Sequence, residues 1–186
     1  MFQIRIHGRG GQGVVSAAEM LSIAAFEEGR HAQAVPSFGS ERMGAPVVAY
    51  VRIDDVEIEL REPVLNPDLL IIQDPTLFQA IDVFSGLKPD GYVLINSTRS
   101  AQDLGIADAV ADLPDGHTVV VPATELALEH IHRPTPNTVL LGALSALRDL
   151  VGLESVFKAI RQKFPGPVGE LNIAAAQAAH DAALAR

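Results

Sequence analysis

The sequence predicts one α/β domain over residues 1–186: three layers, α/β/α, a mixed and mostly parallel sheet with an early β-hairpin, and a helical C-terminal part. Three observations carry this. Strand-like and helix-like stretches alternate through the first part of the chain, which places helices on both faces of a sheet. Three short runs, DLLIIQD (68–74), GYVLINS (91–97) and HTVVVPA (117–123), are apolar without alternation, as parallel strands covered on both faces are. From about residue 134 the pattern is nearly all helical.

The elements follow in order. In Phe2 to His7, Phe2, Ile4 and Ile6 alternate with polar residues, the period of a half-buried strand. Glycines 8, 10, 11 and 13 then make a loop. Val14 to Glu28 reads as a helix, with Val15, Ala18, Leu21, Ser22 and Ala25 at helical spacing and Gly29 to end it. RHAQAV gives a second short strand before Pro36, and residues 36–47 a loop with Glu41 and Arg42 at its centre. Val47 to Ile53 is a strong β run, Val56 to Leu60 alternates, and Asp54-Asp55 between them signals the turn of a hairpin. A helix is expected from Pro75 to Phe84, and a short one after a capping Thr124. Asn137-Thr138 would cap a long apolar helix in which Gly142, Ala143 and Ala146 permit close packing. LESVFKAIRQKF (153–164) is amphipathic, and an Ala-rich helix, Ile173 to Leu184, has a small face suited to packing within the chain or against a partner.

Composition narrows the function. The net charge of −9 lacks the electrostatic footprint of a nucleic-acid binder. No signal-like segment or membrane-spanning run is evident, which points to a cytoplasmic protein that does not engage a membrane. Cysteine is absent, so this chain holds no disulfide, no thiolate metal site and no iron–sulfur cluster. His130 and His132 suggest a metal pair only superficially; with no third ligand nearby they read as a solvated helix end. His7, beside the glycine loop, reads as a hydrogen-bonded strand-end histidine rather than a ligand contact.

The strand–glycine loop–helix junction carries the chemistry. Gly8, Gly10 and Gly13 fit G-x-G-x-x-G, where bare backbone lets amides approach a phosphate at a helix N-terminus. The dinucleotide fingerprint is incomplete, because no acidic residue ends the second strand, AQAVPS, to hold a ribose. A Walker loop fails as well, since no Gly-Lys-Ser/Thr follows. An anionic ligand, or a sharp turn with none, both stay open on the residues alone.

Two stretches together, GRGGQGVVSAAEML (8–21) and PSFGSERMGAPVVAYVRI (36–53), resemble the gamma subunit of 2-oxoacid:ferredoxin oxidoreductases, the family that includes pyruvate synthase. The resemblance extends in order through PDLLIIQDPTL (67–77), GYVLINS (91–97), PATELA (122–127), PNTVLLGAL (136–144) and NIAAAQ (172–177). It implies a complex that oxidatively decarboxylates a 2-oxoacid with coenzyme A to acyl-CoA, CO2 and reduced ferredoxin, or runs the reverse. Thiamine diphosphate, magnesium and iron–sulfur clusters serve that reaction, and in multi-subunit members they sit on other chains. The implied partners are alpha, beta and ferredoxin-like delta-type subunits, with ferredoxin or another electron acceptor. This chain has neither cysteine nor the Gly-Asp-Gly of a thiamine site, so it is expected to hold none of these cofactors and to be inactive alone.

Coenzyme A is then the expected ligand. The backbone of Gly8, Arg9, Gly10, Gly11, Gln12 and Gly13 would cradle it, with Arg9 pairing with a phosphate and Gln12 donating an amide. The 36–46 loop would close over the same edge, with Ser37, Ser40 and Arg42 as donors. A purely structural subunit, its glycine loop docked on the thiamine-binding chains, is the rival; a nicotinamide-binding protein is a weaker one. The form SFGSERMGAPV favours pyruvate within the family, with 2-oxoisovalerate, 2-oxoglutarate and arylglyoxylates also open.

Overall fold

In the computed structural model, which describes residues 1–37 and 43–185, six strands form one sheet in the order β2-β3-β1-β4-β5-β6. Strand β1 (Phe2–Arg9) leads into α1 (Val14–Glu27), followed by β2 (His31–Pro36), β3 (Pro46–Asp54) and β4 (Leu69–Ile72). Then come β5 (Tyr92–Asn96), a single turn α2 (Ala107–Val110), β6 (Thr118–Val121), α3 (Ala123–Ile131), α4 (Asn137–Leu147), α5 (Leu153–Lys163) and α6 (Pro167–Leu184). The sheet is mixed: β1 pairs in parallel with β4, β4 with β5 and β5 with β6, while β3 runs antiparallel to both β1 and β2. No helix among the described residues is long and apolar enough to cross a membrane.

The early hairpin is present but made of different strands from those expected. It is β2–β3; the alternating segment Val56 to Leu60 is not a strand. Both hydrogen-bonding edges of β3 are already filled, by β1 and by β2, so no edge is left for a returning strand. Asp54 and Asp55 instead take the N-terminal amine and Arg30 as ion-pair partners.

The sheet's two faces are covered unequally. On one, Ile4, Ile6, Leu69, Ile71, Leu94 and Val121 pack against α1, α4, α5 and α6 in the main core. On the other, Leu70, Ile72, Val93 and Ile95 meet Leu77, Val83 and Ile106 from a thin layer of irregular chain. The helix expected over Pro75 to Phe84 is only a 3-10 turn, Pro75–Gln79. Beyond that turn buried Arg5 pins the chain, its guanidinium donating to the carbonyls of Val83 (2.8 Å) and Ser85 (2.6 Å). Arg5 also reaches the Val64 carbonyl, and Arg52 donates to that of Glu62, so two sheet arginines pin the 56–66 segment.

The C-terminal helices interlock through small residues. A side chain at Gly142 of α4 would run into the Ala176 carbonyl of α6, so the two backbones touch. Ala175, Ala176 and Ala179 are fully buried, which means the small face of the Ala-rich helix is spent inside the chain. That helix also starts earlier than expected, at Pro167. Capping differs from expectation as well. Thr124 accepts from Asn96 Nδ2 (2.8 Å) and gives its own N–H to Asn96 Oδ1 (3.0 Å), so a strand residue caps α3. Asn137 and Thr138 cap nothing: Thr138 donates to Asn172 (2.8 Å), and the amide of Asn137 turns to Gly13. Tertiary partners outbid the local amides for these side chains.

His7 is buried, and its Nε2 accepts from Arg5 Nε at 3.0 Å. The proton therefore sits on Nδ1, which has no partner among the described residues. Burial, then the Arg5 cation, lowers its pKa from 6.5 to about 3. The unfolded chain takes up this proton below pH 6.5 while the folded chain resists it until about pH 3, so acid favours unfolding across that window. Stability is expected to fall by up to about 1.4 kcal/mol per pH unit from this group alone. Urea unfolding of wild type and His7→Gln between pH 6.5 and 4.5 checks it, since Gln keeps an acceptor for Arg5 but cannot titrate, and the variant should lose the extra slope.

Candidate functional site

Strand β1 runs into the glycine loop at the carboxyl end of the sheet. To one side lies the chain leaving β4, residues 73–76, and to the other the chain entering β3, residues 43–46. Connections leave β1 and β4 in opposite directions, which is where open α/β sheets form a ligand crevice.

The loop is tied down on both sides. Gly10 N–H donates to Ala45 O (2.9 Å) and Gly44 N–H donates to Gly10 O (3.1 Å), so the segment at 43–45 is stitched to it. Gln12 folds back: its side-chain oxygen accepts from Arg9 N–H (2.8 Å), and its amide nitrogen donates to Asp74 Oδ2 (2.8 Å). The Arg9 guanidinium donates to Thr76 Oγ1 (2.8 Å) and to Gly44 O (3.0 Å), with Asp74 Oδ2 at 3.4 Å. Asp74 Oδ1 accepts the N–H (3.0 Å) and hydroxyl (2.6 Å) of Thr76. Burial of Asp74 works to raise its pKa, but the hydrogen bonds from Thr76 and Gln12 and the nearby Arg9 charge outweigh it, and the net shift is downward. Asp74 is therefore a carboxylate at neutral pH.

Other amides of the loop are left open. Gly13 is the N-cap of α1 with φ 73° and no side-chain cap, and no acidic residue stands in the first turn. The N–H groups of Gly11, Gly13, Val14, Val15 and Ser16 have no partner among the described residues. They line an open cleft of about 380 Å³ together with Arg9, Gly10 and Val47. Free amides and the positive end of a helix dipole make this a place for an anion. A wider depression of about 670 Å³ lies elsewhere, against the thin layer between Phe78 and Ala109, and presents no such row of amides.

Bare backbone also serves packing here. A Cβ on Gly8 would crowd Val14 Cγ2 (2.5 Å), and one on Gly13 would strike the Asn137 amide, with Cγ at 3.0 Å. Gly11 combines φ 94° with Met43 Sδ 2.9 Å from the place of a Cβ.

The sequence-derived residues are thus only partly assembled. Gly8 to Gly13 form one constellation, with the side chains of Arg9 and Gln12 engaged internally. Ser37 lies outside the cleft lining, its N–H extending the β2–β3 ladder to Val48 O (3.0 Å). Ser40 and Arg42, with Glu41, lie outside the described residues. His130, half-buried, and His132, exposed, stand in the last turn and at the C-cap of α3. Asp74 and Thr76 were missed; the only signal was Asp-Pro-Thr after a buried strand, which reads as an ordinary turn.

Residues 3–182 match the protein family described as pyruvate ferredoxin/flavodoxin oxidoreductase. The chain belongs to this family. It is 46% identical to pyruvate synthase subunit PorC of Methanothermobacter thermautotrophicus, over 97% of this chain and 95% of that protein. It is 45% identical to the pyruvate/ketoisovalerate oxidoreductases common subunit gamma of Thermococcus kodakarensis, over 96% of this chain and 95% of that one. Among solved structures, the pyruvate oxidoreductase subunit PORC of Thermotoga maritima superposes with a TM-score of 0.80 at 37% identity, covering 97% of this chain and 95% of its own. Family membership agrees with the resemblance carried by the glycine loop and the motifs after it.

The place of β2 also argues against a nicotinamide site. In a dinucleotide unit the second strand lies beside the first and supplies the ribose acid; here β3 takes that position.

Gly13 and Gly29 have nearly the same positive φ, 73° and 76°, but only Gly13 has a neighbour where a Cβ would stand. Gly29→Ala should cost about 1–2 kcal/mol from backbone strain alone. Gly13→Ala should cost about 1–3 kcal/mol more, because Asn137 must move. Denaturant unfolding of the two variants side by side checks this.

Proposed function

We propose that the glycine cradle of this chain takes an anionic part of coenzyme A within a 2-oxoacid:ferredoxin oxidoreductase. The chain is the gamma subunit of that multi-subunit enzyme, which oxidatively decarboxylates a 2-oxoacid to acyl-CoA and CO2 and passes the electrons to ferredoxin. Pyruvate is the substrate favoured by the names of the relatives. Its work is done beside alpha, beta and ferredoxin-like delta-type chains in a cytoplasmic assembly. The carrying observation is the set of amides at the open end of α1, Gly11, Gly13, Val14, Val15 and Ser16, that have no partner among the described residues.

The chain's own residues do not fit the redox or thiamine cofactors. It has no cysteine for a cluster and no Gly-Asp-Gly motif for a magnesium diphosphate. Those groups belong on the partner chains. What this chain supplies is binding. Open backbone amides fix an anion without a mobile cation, and a phosphate held there sets where a flexible thiol arm can reach. Arg9 sits at the rim, where its charge adds to the cradle while Asp74 and Thr76 restrain it.

Three outcomes test this. The isolated chain should be colourless and should not oxidise a 2-oxoacid; visible absorbance from a bound cluster would contradict it. In the assembled complex, saturating coenzyme A should slow hydrogen exchange at Gly11, Gly13, Val14, Val15 and Ser16, whereas 2-oxoacid alone should not. Arg9→Ala should weaken the apparent affinity for coenzyme A by about ten- to a hundred-fold, the effect of one charge-assisted contact. If coenzyme A leaves those amides unprotected, the loop serves a subunit interface instead.

A further inference from the structure

The crevice between β1 and β4 is the place where a sheet of this topology ordinarily receives a ligand, yet this chain fills it with its own side chains. Asp74, the second residue beyond β4, reaches across and takes Gln12 Nε2 on Oδ2 at 2.8 Å. On the same oxygen it meets Arg9 Nε at 3.4 Å, and on the other it holds Thr76. Gln12, held this way, aims its oxygen at the Arg9 N–H and closes the turn with its own N–H on Arg9 O (3.1 Å). The loop's inner donors are all spent in this knot. The open amides emerge on the opposite side, toward Val47 of β3.

We infer that Asp74 is a positioning residue for coenzyme A: through Gln12 and Arg9 it closes the β1/β4 crevice and fixes the glycine cradle open toward β3. It touches no ligand itself. Three features single it out from an ordinary turn aspartate. Among the described residues it is the one group that bonds the side chains of both loop residues able to donate, Arg9 and Gln12. It is half-buried, with 14% of its side chain exposed, and its bond to Gln12 is partly shielded from water. Its charge offsets part of that of Arg9, so a restrained guanidinium and the uncharged amides share the attraction in the cleft. A site of that kind selects by the spacing of acceptor oxygens more than by net charge, and it loses affinity when the loop is allowed to sample other shapes.

This inference rests on the coenzyme A reading of the cradle, and the test separates the two. It uses the assembled enzyme carrying Asp74→Ala, Gln12→Ala or both. Without any ligand, Asp74→Ala should speed hydrogen exchange of the Gly10 and Gln12 amides by about ten-fold, because the bonds holding the turn are released. KM for coenzyme A should rise about ten- to a hundred-fold, with the loss in KM rather than in kcat. The double variant should be no worse than the worse single one, since both changes break one unit. Should Asp74→Ala fail to assemble, Asp74→Asn decides: it keeps an acceptor for Gln12 but gives up the charge and one Thr76 contact, and KM should rise about three- to ten-fold. An unchanged KM in Asp74→Asn, or multiplicative losses in the double variant, overturns the role. If coenzyme A protects the cradle in the wild-type enzyme yet Asp74→Ala leaves both exchange and KM alone, the positioning role falls while the coenzyme A reading stands. If Asp74→Ala speeds exchange but coenzyme A never protects the cradle, the coenzyme A reading falls, and this inference with it.

Discussion

Strand β1 is hydrogen-bonded along both edges, antiparallel to β3 on one side and parallel to β4 on the other, and most of the molecule follows from that. A central strand of this kind buries both of its faces. Ile4 and Ile6 supply the main core, whereas Arg5 and His7 are driven into the thinner layer, where polar groups must find partners. Because β1 is central, its end is flanked by two other chain segments. The glycine loop is therefore assembled from three pieces of sequence, residues 8–16, 43–47 and 73–76, and not from one motif.

The thin layer shows how a few buried charges can replace regular structure. Arg5 gathers three backbone carbonyls and His7, and Arg52 gathers Gln3 and Glu62. Burial lowers the pKa of both arginines, the measure of what it costs to hold them there. Neither forms an ion pair among the described residues; carbonyl oxygens do the work of a counter-ion. In exchange, chain that would otherwise be strand or helix is held flat on the sheet. Gln73 lies in the opposite balance. It is fully buried beside Gly8, and neither atom of its amide finds a partner among the described residues, a cost the surrounding packing must absorb.

Much of the site was legible in sequence because its core is local. Strand, glycine loop and helix are consecutive, so the junction and its open amides can be read from Phe2 to Ser16. Gly29 likewise ends α1 as its type requires, the N–H groups of Gly29 and Arg30 returning to Phe26 and Ala25. Asp74 was not legible, because its role depends on residues 62 and 65 positions away in the chain, Gln12 and Arg9. The same holds for Asn137. It reads as a cap, but the packing of α4 against α1 makes it the wall that only a glycine at 13 can face.

The sequence by itself determined the class of fold, where its buried strands fall along the chain, the glycine-rich junction between β1 and α1, and the absence of any cluster-binding thiolate. These are properties of composition and local period, which act within a few residues. Tertiary structure alone decided which strands form the hairpin, where the helix after Pro75 stops, and whether Arg9 and Gln12 point at a ligand or at Asp74. Each of those turns on competition for a hydrogen-bonding edge or a buried polar partner. Such a contest is settled by which segments meet in space: β3 has two edges and both are taken, and Asp74 lies within reach of the loop only because β4 pairs beside β1.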